Sequence, residues 1–413
     1  MLFIGDDWAD DHHHVVVTDA AGAVLARRRL EEGAGGIRRL HALVASCWGG
    51  DGEPDPDQVV VVIETDRGPW VKALAAAGYR VFPVNPKQAS RHKESMAVSG
   101  KKDDFFDAEG LADMGRVRLH QLRELAADSD LAEAVKIAAR AHQKLVAEHT
   151  RHLLRTRSGL REYFPAALVA YKDLGLDGAD ALELLARAPD PASAAKLTVT
   201  QIAAALKRAG RRGDLTARAR DIQAALRAEH LGQPPVITGA YAAATQAQAA
   251  VIAVLNAQIT IMEARVSELF RRHPDAGIYL SQPGIGDITG ARILGEFGDA
   301  PGRYASGKAR RNYAGTSPLT SESGKKKTVH ARWIRNKRLI DAIRAQAFAA
   351  LRGSPGARLY YDQLRAGGLG HDEALRRVGS RLTGILHGCL THGTAYDETT
   401  AWAHRTAHNA QAA

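Results

Sequence analysis

The run Val59-Val60-Val61-Val62-Ile63 constrains this chain more than any other stretch. Five β-branched residues in succession suit a strand better than a helix. A strand without polar alternation is one buried on both faces, at the centre of a sheet flanked by helices. It ends in a carboxylate, Glu64. The N-terminus repeats the design: Leu2-Phe3-Ile4 runs through Gly5 into Asp6 and Asp7. Apolar strands that deliver acids from their ends are how hydrolytic metal sites begin in many α/β nuclease folds.

The surrounding sequence supplies the rest of such a domain. His14–Thr18 and Val24–Arg29 read as strands joined by the turn Asp19-Ala20-Ala21-Gly22, an antiparallel meander with the first strand. Ile37–Trp48 has helical spacing. Pro69 suits the first position of a helix to about Ala77, and Tyr79–Val84 is a further strand closed by Asn85-Pro86. Lys87–Lys102 is polar and basic and is expected to be mobile; Asp104–Met114 is expected to be helical. Strands, then strand–helix–strand, then helix, is the order of a ribonuclease-H-like α/β domain, placed at residues 1–120.

The remainder reads as all-α. Across 125–274, Asp130 and Glu133 make a capping-box-like start to a long Ala-rich helix reaching about Arg157. Pro165 and Asp190-Pro191 break the middle into short helices. Within Tyr241–Arg272, Ile252, Leu255, Ile259, Met262, Val266 and Leu269 step by three and four. That seam fits a coiled coil, which would serve oligomerisation. It equally fits packing on the chain's own helix at 130–157. Across 275–396, Pro283-Gly284-Ile285-Gly286 resembles a helix-hairpin-helix turn, with backbone N–H groups at Gly284 and Gly286 offered to a DNA phosphate. Helices are expected at Ile288–Phe297, Lys308–Ala314, Trp333–Leu351 and Asp372–Thr391, and another follows the cap Ser354-Pro355. Thr316–Thr328 is expected as a loop, and 397–413 as a flexible, frayed tail.

Length suggests two or three domains, and a net charge of +10 points to a polyanionic partner, nucleic acid first. The basic residues concentrate: Lys308, Arg310, Arg311, Arg332, Arg335, Lys337 and Arg338 are interleaved with Tyr304, Tyr313 and Trp333, and Glu322 is the sole acid between Tyr304 and Leu339. This is a pattern for nucleic-acid contact. Cys47 and Cys389 exclude a disulfide framework or a cysteine zinc site and fit a reducing cytosol. No stretch is expected to reach the ~18 apolar residues of a membrane span. The first strand leaves no room for a signal peptide, so a cytoplasmic location, with the bacterial nucleoid, is expected.

Asp7, Glu64, Asp104 and Asp107 are the sharpest chemical signal. Phosphodiester chemistry is limited by charge repulsion and a poor leaving group, which two Mg²⁺ ions about 4 Å apart relieve. Mg²⁺, or Mn²⁺ in its place, takes oxygen ligands. Asp104 and Asp107, three apart, share a helix face. Asp6, Asp10 and Asp11 compete for the first position and Asp103 for the third. His12-His13-His14 alternates faces on a strand, a poor arrangement for one metal. In Ser321-Glu322-Ser323-Gly324-Lys325-Lys326-Lys327, Ser323 beside a glycine can approach a phosphate, with Lys325 and Lys326 countering its charge.

Four blocks together resemble a known family. They are Ile4-Gly5-Asp6-Asp7; Val62-Ile63-Glu64-Thr65; Lys102-Asp103-Asp104-Phe105-Phe106-Asp107-Ala108; and Pro283-Gly284-Ile285-Gly286 with Tyr313-Ala314-Gly315-Thr316-Ser317-Pro318 and Glu322-Ser323-Gly324. In order and spacing the chain resembles the IS110 family of insertion-sequence transposases, the bridge-RNA-guided serine recombinases. The resemblance implies a RuvC-like domain with metal ligands Asp7, Glu64, Asp104 and Asp107, a helical coiled-coil insertion, and a C-terminal transposase domain with Ser323 as nucleophile. It also implies a non-coding bridge RNA pairing with donor and target DNA, and a homo-oligomer acting as a dimer and, in synapsis, a tetramer. Two further readings are carried: a RuvC-like nuclease or junction resolvase using water, and a non-catalytic nucleic-acid-binding protein.

Overall fold

A computed structural model of the chain describes residues 1–49, 52, 54–96, 103–125, 128–323, 326–332 and 335–403, leaving out the side chains of Ser323 and Lys326. The chain divides into two compact units, Met1–Ala127 and Asp128–Ala413.

The first unit is built on a five-stranded sheet, β1 (Leu2–Trp8), β2 (His12–Thr18), β3 (Val24–Glu31), β4 (Val59–Ile63) and β5 (Arg80–Pro83), in the order β3-β2-β1-β4-β5. The first three strands form the expected antiparallel meander, and β4 lies parallel between β1 and β5. Every residue of β4 is buried. Each fully buried Val or Ile stabilises by roughly 1.5–3 kcal/mol, so this strand anchors the sheet. One face, carrying Leu2, Ile4, Val59, Val61 and Ile63, packs on α1 (Ala34–Cys47) and α2 (Pro69–Ala76). The other, carrying Phe3, Val60 and Val62, packs on α3 (Pro86–Met96) and α4 (Asp104–Arg118). The segment expected to be mobile thus contains a helix. Its weak apolar face, Ala89 and His92, hides in a basic sequence.

The second unit is helical around a long antiparallel-spaced pair, α5 (Asp130–Tyr163) and α11 (Pro235–Arg271). The cap of α5 is Ser129, whose hydroxyl accepts from Ala132 N, rather than Asp130. The α11 seam packs on α5 of the same chain: His142 Nε2 lies 3.3 Å from Glu263 Oε1 and His152 Nδ1 2.7 Å from Gln248 Oε1. By length and composition α11 is apolar enough to cross a membrane, against the sequence expectation. Its alanines raise the average, while Gln246, Gln248, Asn256 and Gln258 interrupt it. Five helices, α6 (Pro165–Ala170), α7 (Ala179–Arg187), α8 (Pro191–Ala195), α9 (Val199–Arg208) and α10 (Leu215–Arg227), share a core with one end of the pair. The other end shares a core with α12 (Ala276–Ser281), α13 (Asp287–Phe297), α14 (Gly307–Ala314), α15 (Lys337–Gly353) and α17 (His371–His392). Helix α16 (Pro355–Ala366) packs with α15 and α17.

Two expectations are corrected here. Within Thr316–Thr328 the chain is not a loop but enters a hairpin, β6 (Pro318–Ser323) with β7 (Lys326–Ala331). Its apolar Leu319 and Val329 are exposed, so no buried face marked it as strand. The described part of the tail, 397–403, is packed down: Trp402 is buried and Glu398 Oε1 accepts from Gly356 N at 2.7 Å, while 404–413 lie outside the described residues.

Candidate active site and nucleic-acid interface

Strand periodicity settles which acids share a face. Side chains alternate across a sheet, so Asp6 follows Leu2 and Ile4 to the α2 side, while Asp7 follows Phe3 and Gly5 to the α4 side. Asp6 is fully buried; its carboxylate accepts from Trp70 Nε1 at 2.7 Å and pairs with His13 Nδ1 at 2.7 Å. It is an internal anchor with no face left for a metal. Asp103 caps α4, its side chain accepting from Phe105 N at 3.0 Å. Asp10 and Asp11 are exposed beyond the end of β1.

By the same parity Glu64, following Val60 and Val62, is directed toward α4. Close approach brings α4 to the sheet: a Cβ on Gly5 would stand 1.7 Å from Ala108 O and 2.6 Å from Ala112 N. Without that glycine Asp104 and Asp107 would be held away from Asp7. The electrostatics report the gathering. Burial pushes the Asp7 carboxyl up to about 6, and Asp107, Glu64 and Asp104 add to the rise while Lys93 opposes it. Burial also raises Glu64; Lys93 opposes that shift and Asp107 adds to it.

Two residues near these acids escaped the sequence reading. Lys93 Nζ on α3 lies 2.9 Å from Asp107 Oδ1. Ala89, His92, Lys93 and Met96 follow helical spacing, the signal that would have placed it. His14 stands opposite Asp7 across the β1–β2 ladder, its Nδ1 3.8 Å from Asp104 Oδ2. Its neighbour His13 faces the other way, between Asp6 and Glu32 and stacked on Trp70. Burial alone would lower the His13 imidazole; the two carboxylates more than reverse it.

As the side chains stand, no three His, Cys, Asp or Glu among the described residues converge tightly enough to hold one metal ion. Glu64, Asp104 and Asp107 nevertheless each add to the rise at Asp7. An all-oxygen donor set is the chemistry that fits Mg²⁺ or Mn²⁺.

In the second unit the basic residues divide. Arg310 is stacked over Phe297 and Tyr304, 5.0 and 4.8 Å from their centroids, and is structural rather than offered to a ligand. Arg332 is tied to Ser317 Oγ and Asn312 Oδ1 at 3.1 and 3.2 Å, and Arg311 Nε donates to Gly307 O at 3.2 Å. Lys308, Arg335, Lys337 and Arg338 are exposed. Gly284, with φ +77°, meets α15 directly: a Cβ there would lie 2.4 Å from Gln346 O, so packing accounts for this glycine. Gly286 is exposed at the start of α13. The Ser323 backbone pairs with Lys326 at the hairpin's closed end; Gly324, Lys325 and Trp333 lie outside the described residues.

Comparison with known proteins places both parts of the chain in transposase families. Residues 4–165 match a transposase family of the DEDD type, and residues 277–362 match the transposase family IS116/IS110/IS902. The class is therefore that of the insertion-sequence transposases. The mini-circle protein named as transposase for IS117 in Streptomyces coelicolor is 39% identical over 97% of each chain. The 42 kDa protein of insertion element IS900 from Mycobacterium paratuberculosis is 30% identical, over 81% of this chain and 82% of its own length. The chain belongs to the IS110 family of transposases.

Proposed function

We propose that the chain cuts and rejoins DNA with Asp7, Glu64, Asp104 and Asp107 as ligands of Mg²⁺, or of Mn²⁺ in its place, and with Ser323 as nucleophile. The observation that carries the metal reading is the rise at Asp7, an acid pushed up to about 6 by burial, with Asp107, Glu64 and Asp104 adding to it. Such repulsion is relieved by a cation. The order β3-β2-β1-β4-β5, with an antiparallel meander joined to parallel strands, supports a ribonuclease-H-like, RuvC-like assignment for residues 1–120. A divalent ion held there by Asp7, Glu64, Asp104 and Asp107 would supply positive charge to the scissile phosphate. The four carboxylates would hold that ion, and without it they would repel the phosphate.

In this reading the Ser323 hydroxyl oxygen bonds to phosphorus as a deoxyribose oxygen leaves. The serine proton is lost to solvent and the leaving oxygen gains one. One phosphodiester replaces another, so the reverse attack rejoins DNA without an external energy source. Lys325 and Lys326 flank the serine in sequence and would offset phosphate charge. Arg335, Lys337 and Arg338 support a backbone-binding surface: they crowd the N-terminal end of α15, where cations are unfavourable until a phosphate arrives. Lys308 and Gly286 would add to it. Residues 125–274 would serve oligomerisation and RNA contact, and 275–396 would hold the transposase chemistry. A bridge RNA would pair with donor and target DNA, with a homodimer assembling to a tetramer in the bacterial cytoplasm.

Ser323→Ala is expected to abolish covalent protein–DNA adducts on DNA carrying the element's ends, supplied with the RNA from the element's flank. Adducts that persist in this variant would end the serine assignment. A second reading, a nuclease using water, draws on the fact that all four acids fall within residues 1–127. It is recognised by cleavage that leaves free ends and survives Ser323→Ala.

A further inference from the structure

We propose that Lys93 is a tethered counter-ion of the acid cluster, and that its ammonium and a divalent metal ion are alternative occupants of Asp107. This inference rests on the metal reading given above.

The geometry is that of a built-in group rather than a surface lysine. Its ammonium reaches Asp107 Oδ1 at 2.9 Å with the side chain four-fifths buried. The stem crosses α4 at Gly110, where a Cβ would come within 2.7 Å of Lys93 Cγ. A glycine at that turn opens the channel the stem occupies. The neighbouring residue holds the helix in place: His92 is buried, with Nε2 3.0 Å from Asp113 Oδ2 on α4. One turn earlier Ala89 is buried in the same apolar cluster as Leu111 and Met114. Helix α3 is therefore fastened at the residue before the lysine and one turn earlier, so the backbone at Lys93 is held against α4.

Charge sets the consequence. The ammonium sits on Asp107, and its charge also opposes the rise that burial causes at Asp7 and Glu64. With the lysine in place Asp107 is paired, and no three acids or histidines among the described residues are grouped to hold an ion. A metal that takes Asp107 must displace the ammonium from that oxygen. Lys93 then remains tethered beside the cluster, a cation freed next to the place where a DNA phosphate would lie. The device would keep a hydrolytic metal from loading before substrate supplies the anion that accepts the lysine.

The test uses the full-length protein without nucleic acid and reads Mn²⁺ binding by calorimetry and by the electron spin resonance of free Mn²⁺. Lys93→Met keeps the apolar stem and removes the charge. Mn²⁺ is expected to bind this variant about tenfold more tightly than the wild type, the scale of one charge-assisted contact that the metal no longer has to displace from Asp107. Equal or weaker binding in a folded Lys93→Met protein overturns the proposal while leaving the metal reading intact. Absence of saturable Mn²⁺ binding in the wild type and in Lys93→Met removes both, and Asp107→Asn serves as the control for site occupancy. Should Lys93→Met not fold, amine acetylation of the wild type mapped by mass spectrometry decides the matter. Lys93 is expected to be protected without Mn²⁺ and labelled several-fold faster with it; unchanged labelling at saturating Mn²⁺ overturns the proposal.

Discussion

Asp7 and Glu64 leave strands packed between two layers of helix, whereas Ser323 ends a hairpin whose Leu319, Thr320, Ser321 and Glu322 all face solvent. The acids are held by the same buried side chains that hold the sheet, so their placement and the stability of the first unit are one property. The hairpin's strands are held by ladder hydrogen bonds and short-range pairs, so its placement contributes little to stability. The difference teaches that substitutions around the acids should be read first as folding experiments, and those on the hairpin directly as experiments on function.

The strongest test of that contrast is Asp6→Ala. It leaves His13 buried against Glu32 alone and strips the partner from Trp70 Nε1. Breaking a buried pair costs about 3–5 kcal/mol. Denaturant unfolding is expected to show a loss of that size, and a loss under 1 kcal/mol would mean the sheet does not depend on its anchor. Gly5→Ala comes next. The new methyl would collide with Ala108 O, and α4 must move away from β1. Overpacking of this kind costs about 1–3 kcal/mol. Activity should fall further than stability, since Asp104 and Asp107 ride on the displaced helix.

Asp7→Asn is expected to have the opposite sign. An acid held above its ordinary value makes the folded protein bind protons that the unfolded chain releases, so stability falls as pH rises from about 4 to about 6. Above that window the cost of holding a charged, half-buried carboxylate among other acids is fully present. Discounted for the solvent that reaches this half-buried group, it amounts to roughly 1 kcal/mol. The metal-free Asp7→Asn protein should therefore be more stable than wild type at pH 7, by about that amount, with no difference at pH 4. Chemical denaturation at both values checks it, and a destabilised variant at pH 7 would show that Asp7 is paired rather than repelled.

How far the sequence revealed this arrangement follows from how its side chains are used. The run Val59–Ile63 announces its own burial, and Pro69 marks the start of α2 without help from the rest of the fold. The four acids stand out because two follow apolar strands and two share a helical turn. Choosing Asp7 over Asp6 needs the parity of β1 relative to both helical layers, which sequence alone leaves ambiguous by one residue. Lys93 was hidden because α3 buries only Ala89 and His92, too faint an apolar face to separate a helix from a basic loop. The hairpin was hidden for the opposite reason: no strand face is buried, so alternation carries no hydrophobic signal. For the α11 seam, spacing defines an apolar stripe but not its partner. His142 and His152 on α5, set against Glu263 and Gln248, supply that information only in three dimensions.

The smallest expected effect sharpens the contrast most. Glu322 pairs with Lys327 across the hairpin, and both side chains are more than half exposed. Exposed pairs contribute about 0–1 kcal/mol, and backbone pairing between β6 and β7 survives their loss. Glu322→Ala should leave the unfolding free energy within about 0.5 kcal/mol of wild type. If the hairpin exists to present Ser323, the same substitution should alter the yield of protein–DNA adducts measurably while the protein remains as stable as before. If stability falls by 2 kcal/mol or more, the hairpin is a structural element like the sheet, and the division between an acid site bound up with folding and a serine element free of it is lost.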